Sequence, residues 1–302
     1  MIRKVLLTGA SGFIGRHAIS PLLDKGYEVH AVSRSFIKDL SNSVKQHQCD
    51  LLNTQLISQL VGEIKPSHLL HFAWYAIPGK CWTSPNNLDW VQATLHLLQQ
   101  FVKHGGERVV MAGSCAEYDW ELDADKYHES PFLIGSSTLY GCCKAALFQI
   151  VDTYCRHIGL SFAWGRIFFL YGPHEYHSRL VPSVVRGLLK KEPVLCTHGQ
   201  QIRDFMYVKD VAGAFATLLD SELQGAINIA SGQPISLKDV IEFIADKLNG
   251  KGRVQYGVIA APDDPPVILA DVERLFNELN WRPQYSLATG LEETIDWWQT
   301  QS

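Results

Sequence analysis

The chain runs to 302 residues with a formal net charge of -4, 27 Lys and Arg against 31 Asp and Glu. That balance lacks the basic field that nucleic-acid binding needs, and 46% hydrophobic with 19% charged residues excludes a disordered chain. The length allows one large core or two interleaved ones.

Short apolar strands alternate with amphipathic helices through the first half. A strand over 4–7 leads to a helix over 13–25 that closes near Gly26, then to a strand over 29–32. A third strand precedes Asp50, further strands fall over 69–72, 108–112 and 162–167, and helices fill 87–104 and 137–157. Such alternation implies a parallel sheet with helices on both faces. Beyond Tyr171, Pro173, Pro182, Pro193, Pro234, Pro262, Pro265 and Pro266 break the chain into shorter pieces, and 226–230 returns to the main sheet. The expected class is α/β: a Rossmann-type doubly wound parallel sheet over 1–170 with a smaller C-terminal α/β lobe over 171–302. Met1 runs straight into the apolar Val5-Leu6-Leu7 without the ordered regions of a secretory signal, and no apolar stretch is long enough to span a bilayer. The 7 cysteines, odd in number and without paired CxxC spacing, read as free thiols of a reducing compartment, so a cytoplasmic protein is expected.

Two segments carry chemistry. Gly9, Gly12 and Gly15, within Thr8-Gly9-Ala10-Ser11-Gly12-Phe13-Ile14-Gly15, follow the first strand and open the first helix. Glycines there permit a tight turn and close backbone approach, and the helix N-terminus offers unpaired N–H groups to a phosphate. Far downstream, Tyr140 and Lys144 are four apart on a helix and share one face. An ammonium beside a phenol favours the phenolate, which makes Tyr140 able to move a proton to or from a reacting oxygen. Together the two segments point to redox chemistry on a carbonyl or carbinol.

With the spacing GxxGxxG at the start and Tyr140/Lys144 behind it, the chain resembles the extended short-chain dehydrogenase/reductase family. The resemblance continues through Asp50, Tyr171-Gly172-Pro173, the run from Arg203-Asp204-Phe205 to Asp210-Val211, and Asn228-Ile229-Ala230-Ser231-Gly232. It implies a cofactor site made by Gly9, Ser11, Gly12, Phe13, Ile14 and Gly15. Asp50 and Leu51 would lie near the adenine, Phe72 and Ala73 beside the ribose or pyrophosphate, and Lys144 on the nicotinamide ribose next to Tyr140. The family also implies a homodimer packed through the helices over 87–104 and 137–157.

At the end of the second strand, where an NAD site usually carries Asp or Glu for the ribose 2′-hydroxyl, the chain reads Ser33-Arg34. A hydroxyl and a guanidinium suit a 2′-phosphate, so NADPH/NADP+ is the expected cofactor. By the resemblance, Ser114 matches the Ser/Thr that hydrogen-bonds the reacting oxygen; a turn cap is its structural alternative. The next two positions, an Asp-Glu pair in the family's dehydratases, are Cys115 and Ala116 here. Ala moves no proton, Cys does so only with a lowered pKa, and Glu117 is displaced along the chain, so elimination of water is not expected.

The resemblance further implies that Arg203 clamps a substrate diphosphate, with a structural pair to Asp204 or Asp210 as the alternative, and that Arg179 is a second anion contact. His174 would face the sugar, with a surface or capping histidine as the equal alternative, and Cys115 would line the substrate site. His174 and His177 have no third ligand at a sensible spacing, so no metal is expected. Trp297-Trp298 reads as packing of a terminal helix, and Cys142 and Cys143 as buried small apolar residues. The expected activity is NADPH-dependent reduction of a nucleotide-activated 4-keto-deoxyhexose. An epimerase with retained NAD+ and a non-catalytic NADP(H) sensor or scaffold are the alternatives.

Overall fold

Strand β1 (Lys4–Thr8) is apolar on both faces, and each face finds its own core. Val5 and Leu7 join Ala18, Leu22 and Phe215 in one layer, while Leu6 joins Ile57, Leu97 and Phe101 in the other. A strand buried on both sides reads as a continuous apolar run, which is how a parallel sheet covered by helices looks in sequence. The computed structural model describes residues 2–38, 40–122, 124–131, 134–261 and 264–301; Pro262, among the expected breakers, lies outside them.

Helix α1 (Gly15–Asp24) follows β1, then β2 (Glu28–Ser33), β3 (Lys45–Gln48), α2 (Thr54–Ile64), β4 (His68–His71) and α3 (Asn86–Lys103). Next come β5 (Arg108–Ser114), α4 (Leu139–Ile158), β6 (Ser161–Ile167) and β7 (Phe169–Tyr171). The remainder is α5 (Leu180–Leu189), β8 (Val194–Leu195), β9 (Ile202–Tyr207), α6 (Val208–Leu219), β10 (Gly225–Ile229), β11 (Pro234–Ser236), α7 (Leu237–Lys247), β12 (Val254–Gln255), β13 (Val267–Ile268) and α8 (Leu287–Thr300). The sequence reading omits α2, although Ile57, Leu60, Val61 and Ile64 carry helical spacing and are buried. α4 begins two residues later than the expected 137, because the Thr138 hydroxyl accepts the Gly141 N–H at 3.1 Å and caps the helix there.

The main sheet has the order β10-β6-β5-β4-β1-β2-β3, every neighbouring pair parallel. The chain leaves β1 toward β2 and β3, then returns to lay β4 on the other side of β1. That reversal opens a crevice at the carboxyl ends of β1 and β4, the place where doubly wound sheets bind ligands. Strands β7, β9, β11 and β13 form a second small sheet, and β8 pairs with β12. A third core, with Tyr171, Val184, Leu188, Val240, Ile244 and Leu291, holds α5, α7 and α8 against it. Among the described residues no helix is long and apolar enough to cross a membrane.

Candidate active site

The crevice is shaped by backbone against backbone. Gly9 has φ +68, and a Cβ there would lie 2.9 Å from the Ala73 nitrogen across the β1–β4 reversal; one on Gly15 would overlap the Gly9 carbonyl. Only glycine fits both places, and no side chain caps the first turn of α1. This cradle fits a dinucleotide pyrophosphate, which needs close backbone approach and free helix N–H groups. Phe13 and Ile14 turn their side chains into the core of α5, α7 and α8, and Ser11 is exposed beside the turn. Arg16, absent from the sequence reading, spans the loop: it donates to Ser11 O at 2.7 Å and to His174 Nδ1 at 2.7 Å.

The supporting contacts are internal to the sheet. Thr8 Oγ1 meets His71 Nδ1 at 2.8 Å, and His71 Nε2 meets Thr94 Oγ1 on α3 at 3.0 Å. Burial, with the Lys144 charge behind it, drives the imidazole down to about 3, so His71 is a neutral strut. Phe72 and Ala73 alone carry that segment to the crevice. At the far edge, Ser33 Oγ donates to Ser35 O at 2.5 Å and Gln48 Nε2 to Arg34 O at 3.0 Å, shaping the end of β2 while Arg34 stays exposed. Asp50 is exposed and accepts the Leu52 N–H, whereas Leu51 is buried in the core under α2.

Tyr140 and Lys144 sit on the first turns of α4. Gly141 lets that helix press on the turn after β5, because a Cβ there would overlap the Ala116 carbonyl and the Ser136 hydroxyl. The approach sets the Tyr140 phenol near enough to Ser114 for the hydroxyl to act on it. Ser114 accepts the Ala116 N–H at 3.2 Å, so its hydroxyl caps the turn on the side of the site that Tyr140 faces. Lys144 Nζ donates to Ala112 O at 2.8 Å and lies 3.7 Å from the centre of the Trp74 ring. Burial brings Lys144 down to about 7 against the opposing pull of Glu117. Tyr140 is raised above its ordinary value by burial, with the Ser114 hydroxyl opposing. The expectation that the Lys144 ammonium lowers the phenol is therefore not met in this structure: loss of water dominates both groups.

Aromatic residues the sequence reading did not use complete the surroundings. Trp82 packs edge-on against Tyr140 at 5.6 Å and takes the Tyr140 N–H on its carbonyl at 3.1 Å. Asn87 bridges the loop by accepting from Trp74 Nε1 at 2.9 Å and donating to Cys81 O at 2.7 Å. A cleft next to Trp82 is lined by Ala116, Tyr118, Trp120, Ser136 and Thr138. Nothing local in the sequence marks Trp74 or Trp82, since the loop that holds them is ordered by α3.

The residues after Ser114 behave as structure. Cys115 is buried with Tyr118, Tyr127 and Phe168, and burial pushes its thiol up to about 12. Glu117 is fully enclosed. It accepts from Arg166 Nε at 2.8 Å, Trp164 Nε1 at 2.9 Å and Ser114 N at 2.8 Å, so its carboxylate anchors the turn that presents Ser114. Cys142 corrects the reading made for it: the side chain is exposed, with Sγ donating to Ser136 O, while Cys143 is buried.

On the substrate side the expectations divide. Arg203 is buried on β9 and pairs with Asp264 at 2.6 Å, not with Asp204 or Asp210. Those two are occupied elsewhere, Asp204 by Ser231 and Gly232, Asp210 by the Gln284 and Tyr285 N–H groups. Arg179 is exposed just before α5, and its charge reaches both Cys81 and Glu175. Glu175 is a buried carboxyl with one unpartnered oxygen, pushed up to about 8 by burial. His174 does not line the same cleft as Tyr140. It takes φ +69, accepts from Arg16 and packs on Trp297 at 4.4 Å, because the turn after Pro173 aims it at the first and last helices. Among the described residues no cluster of three His, Cys, Asp or Glu side chains is placed to hold a metal ion.

A glycine cradle at a parallel-sheet switch point, with Ser, Tyr and Lys converging beside it, defines a dinucleotide-dependent α/β protein. The model of the NAD dependent epimerase/dehydratase family matches residues 5–230, and the chain belongs to that family. CDP-abequose synthase of Salmonella typhimurium (strain LT2) is 26% identical over 308 residues, covering 96% of this chain and 97% of the relative. The UDP-glucose 4-epimerase of Thermotoga maritima, solved with UDP-glucose, superposes with a TM-score of 0.88 at 20% identity, covering 99% of each chain. MoeE5, solved with UDP-glucose and NAD, gives a TM-score of 0.83 at 29% identity, covering 99% of each.

Proposed function

We propose that the protein reduces a nucleotide-activated 4-keto-deoxyhexose with NADPH. The observation that carries the reading is a Ser114 hydroxyl acting on the Tyr140 phenol with no proton-transfer group placed in the two positions after Ser114. Ala116 has none, the Cys115 thiol is held at about 12, and the Glu117 carboxylate is consumed by Arg166, Trp164 and the Ser114 N–H. An acid-base pair for removing water is missing from that place, while a proton donor for one oxygen is present. Relatives that handle CDP- and UDP-linked sugars support the nucleotide part of the substrate.

In this reading Gly9, Ser11, Gly12, Phe13, Ile14 and Gly15 hold the pyrophosphate, Asp50 and Leu51 the adenine end, and Phe72 and Ala73 the inner wall. Ser33 and Arg34 take the 2′-phosphate, which is the ground for NADPH over NADH. When bound, NADPH supplies a hydride to the ketone carbon. Ser114 Oγ orients the ketone oxygen by a hydrogen bond, and Tyr140 Oη gives that oxygen its proton. Lys144, anchored on Ala112 O and the Trp74 ring, holds the ribose beside the phenol. Residues 1–170 with the returning β10 form the cofactor half, and 171–302 mainly the sugar-nucleotide half with Arg179 and Arg203. Exposed Leu88 on α3 and Ile150 on α4 support a homodimer through those helices.

The test is NADPH oxidation with a panel of nucleotide 4-ketosugars. Consumption of NADPH in step with a new hydroxyl-sugar is the expected result. No oxidation with any ketosugar, together with interconversion of two hydroxyl-sugars by enzyme carrying NAD+, would replace reduction by epimerisation.

A further inference from the structure

Arg16 is the second residue of α1 and lies half-buried against the glycine turn. Its guanidinium donates from Nε to Gly12 O at 3.3 Å, from Nη2 to Ser11 O at 2.7 Å and from Nη1 to His174 Nδ1 at 2.7 Å. All of these acceptors are neutral. A guanidinium cannot accept, so the imidazole takes its N–H on Nδ1 and carries its own proton on Nε2. The arginines in ion pairs among the described residues are Arg3, Arg156, Arg166, Arg203 and Arg274. The Arg16 charge is thus left without a carboxylate beside the turn.

The two carbonyls that Arg16 holds decide where the turn aims its donors. In a trans peptide the C=O and N–H point opposite ways, so fixing Gly12 O on the guanidinium sends the Phe13 N–H away from it. Fixing Ser11 O does the same for the Gly12 N–H, which closes the turn on Gly9 O at 2.9 Å. The N–H groups at the start of a helix have no partner within it and are open to a phosphate.

Arg16 is itself aimed by the C-terminal lobe. His174 takes φ +69 and packs on Trp297 of α8 at 4.4 Å, while Pro173 O meets His17 Nε2 at 3.2 Å. Neighbouring residues of α1 therefore grip one turn that lies more than 150 residues downstream.

We propose that Arg16 is a positioning residue for the cofactor: it fixes the turn over 11–13 so that its donors face a dinucleotide pyrophosphate, sets a positive charge behind that anion, and is held in place by the His174 Nδ1 acceptor. The inference rests on the dinucleotide part of the reading above and is independent of the sugar. It applies to NADP+ and NAD+ alike, because both carry the same pyrophosphate.

The experiment is calorimetric titration of the full chain with NADP+, NAD+ and adenosine 2′-phosphate, comparing wild type with Arg16→Ala, His174→Leu and His174→Asn. Arg16→Ala is expected to weaken each dinucleotide that binds by about 10- to 30-fold, the size of a lost charged hydrogen-bonding group. Adenosine 2′-phosphate, which lacks the pyrophosphate, should keep its wild-type affinity. His174→Leu should weaken the dinucleotides about three- to tenfold, since Arg16 then loses one neutral acceptor. His174→Asn should restore wild-type affinity, because asparagine offers an oxygen near the Nδ1 place and tolerates a positive φ. In the Arg16→Ala background the His174 changes should have no effect, which a double-mutant cycle reads directly.

A melting curve of each variant establishes that it is folded, and Arg16→Met, which keeps the apolar stem, stands in if Arg16→Ala is not. Unchanged dinucleotide affinity in a folded Arg16 variant, or a loss shared by adenosine 2′-phosphate, overturns the positioning role and leaves Arg16 a strap between the lobes. Binding of neither dinucleotide by the folded wild type overturns the cofactor reading itself, a distinct result.

Discussion

Two buried arginines, Arg166 and Arg203, each hold one carboxylate, and the pairs are built differently. Arg166 and Glu117 are 1% and 0% exposed, and both oxygens of Glu117 receive hydrogen bonds from groups that include the Ser114 N–H. Arg203 and Asp264 are 3% and 23% exposed, and one carboxylate oxygen has no partner. A saturated pair has nothing left to offer a ligand and serves as a rigid post for the catalytic turn. The second pair leaves one carboxylate oxygen unfilled, and the count of satisfied lone pairs tells the two apart.

The largest effect should come from breaking the saturated pair. Glu117→Ala is expected to cost about 3–5 kcal/mol of stability by leaving Arg166 buried and uncompensated, measured by denaturant unfolding. Asp264→Asn should cost clearly less, since its partner keeps two carbonyl contacts; equal losses would erase the distinction drawn here. Next, Tyr140→Phe should lower kcat by roughly 100- to 10,000-fold with NADPH binding retained. A loss confined to KM would show that the post carries a binding group and not a proton donor.

A smaller effect is expected at the cofactor edge, where Arg34→Ala should raise KM for NADPH about tenfold and leave that for NADH nearly unchanged. Equal changes for both cofactors would remove the 2′-phosphate reading. A separate effect, read on stability, concerns Glu175, which has an unpaired oxygen of the same kind as that of Asp264. Burial holds its proton up to about 8 in the folded chain, above the unfolded value, so the folded state binds more protons across that window. Stability should accordingly fall as pH rises from about 5 to about 8, and Glu175→Gln should flatten the slope. Melting temperatures of both proteins that run parallel over this range would contradict the assignment.

Much of the cofactor half was legible because its signals are local. The glycines of 9, 12 and 15 follow an apolar strand directly, and Tyr140 and Lys144 meet through the helical repeat alone. Strand and helix positions were off by only a few residues, with α2 passed over. The substrate half was less legible. The partner of Arg203 lies 61 residues downstream, and nearer carboxylates in the chain drew the pairing to Asp204 and Asp210. His174 was aimed at a sugar by its motif, whereas the turn after Pro173 gives it to Arg16 and Trp297.

The α/β class, the glycine turn after β1 and the shared helix face of Tyr140 and Lys144 were legible in the chain alone, because each rests on a period or a turn within one segment. Tertiary structure alone decided that Glu117 holds Arg166 and Trp164, that Trp74 and Trp82 pack on Lys144 and Tyr140, and that Asp264 pairs with Arg203. Those facts depend on which distant segments pack together, and on how much water the packing leaves around each charge.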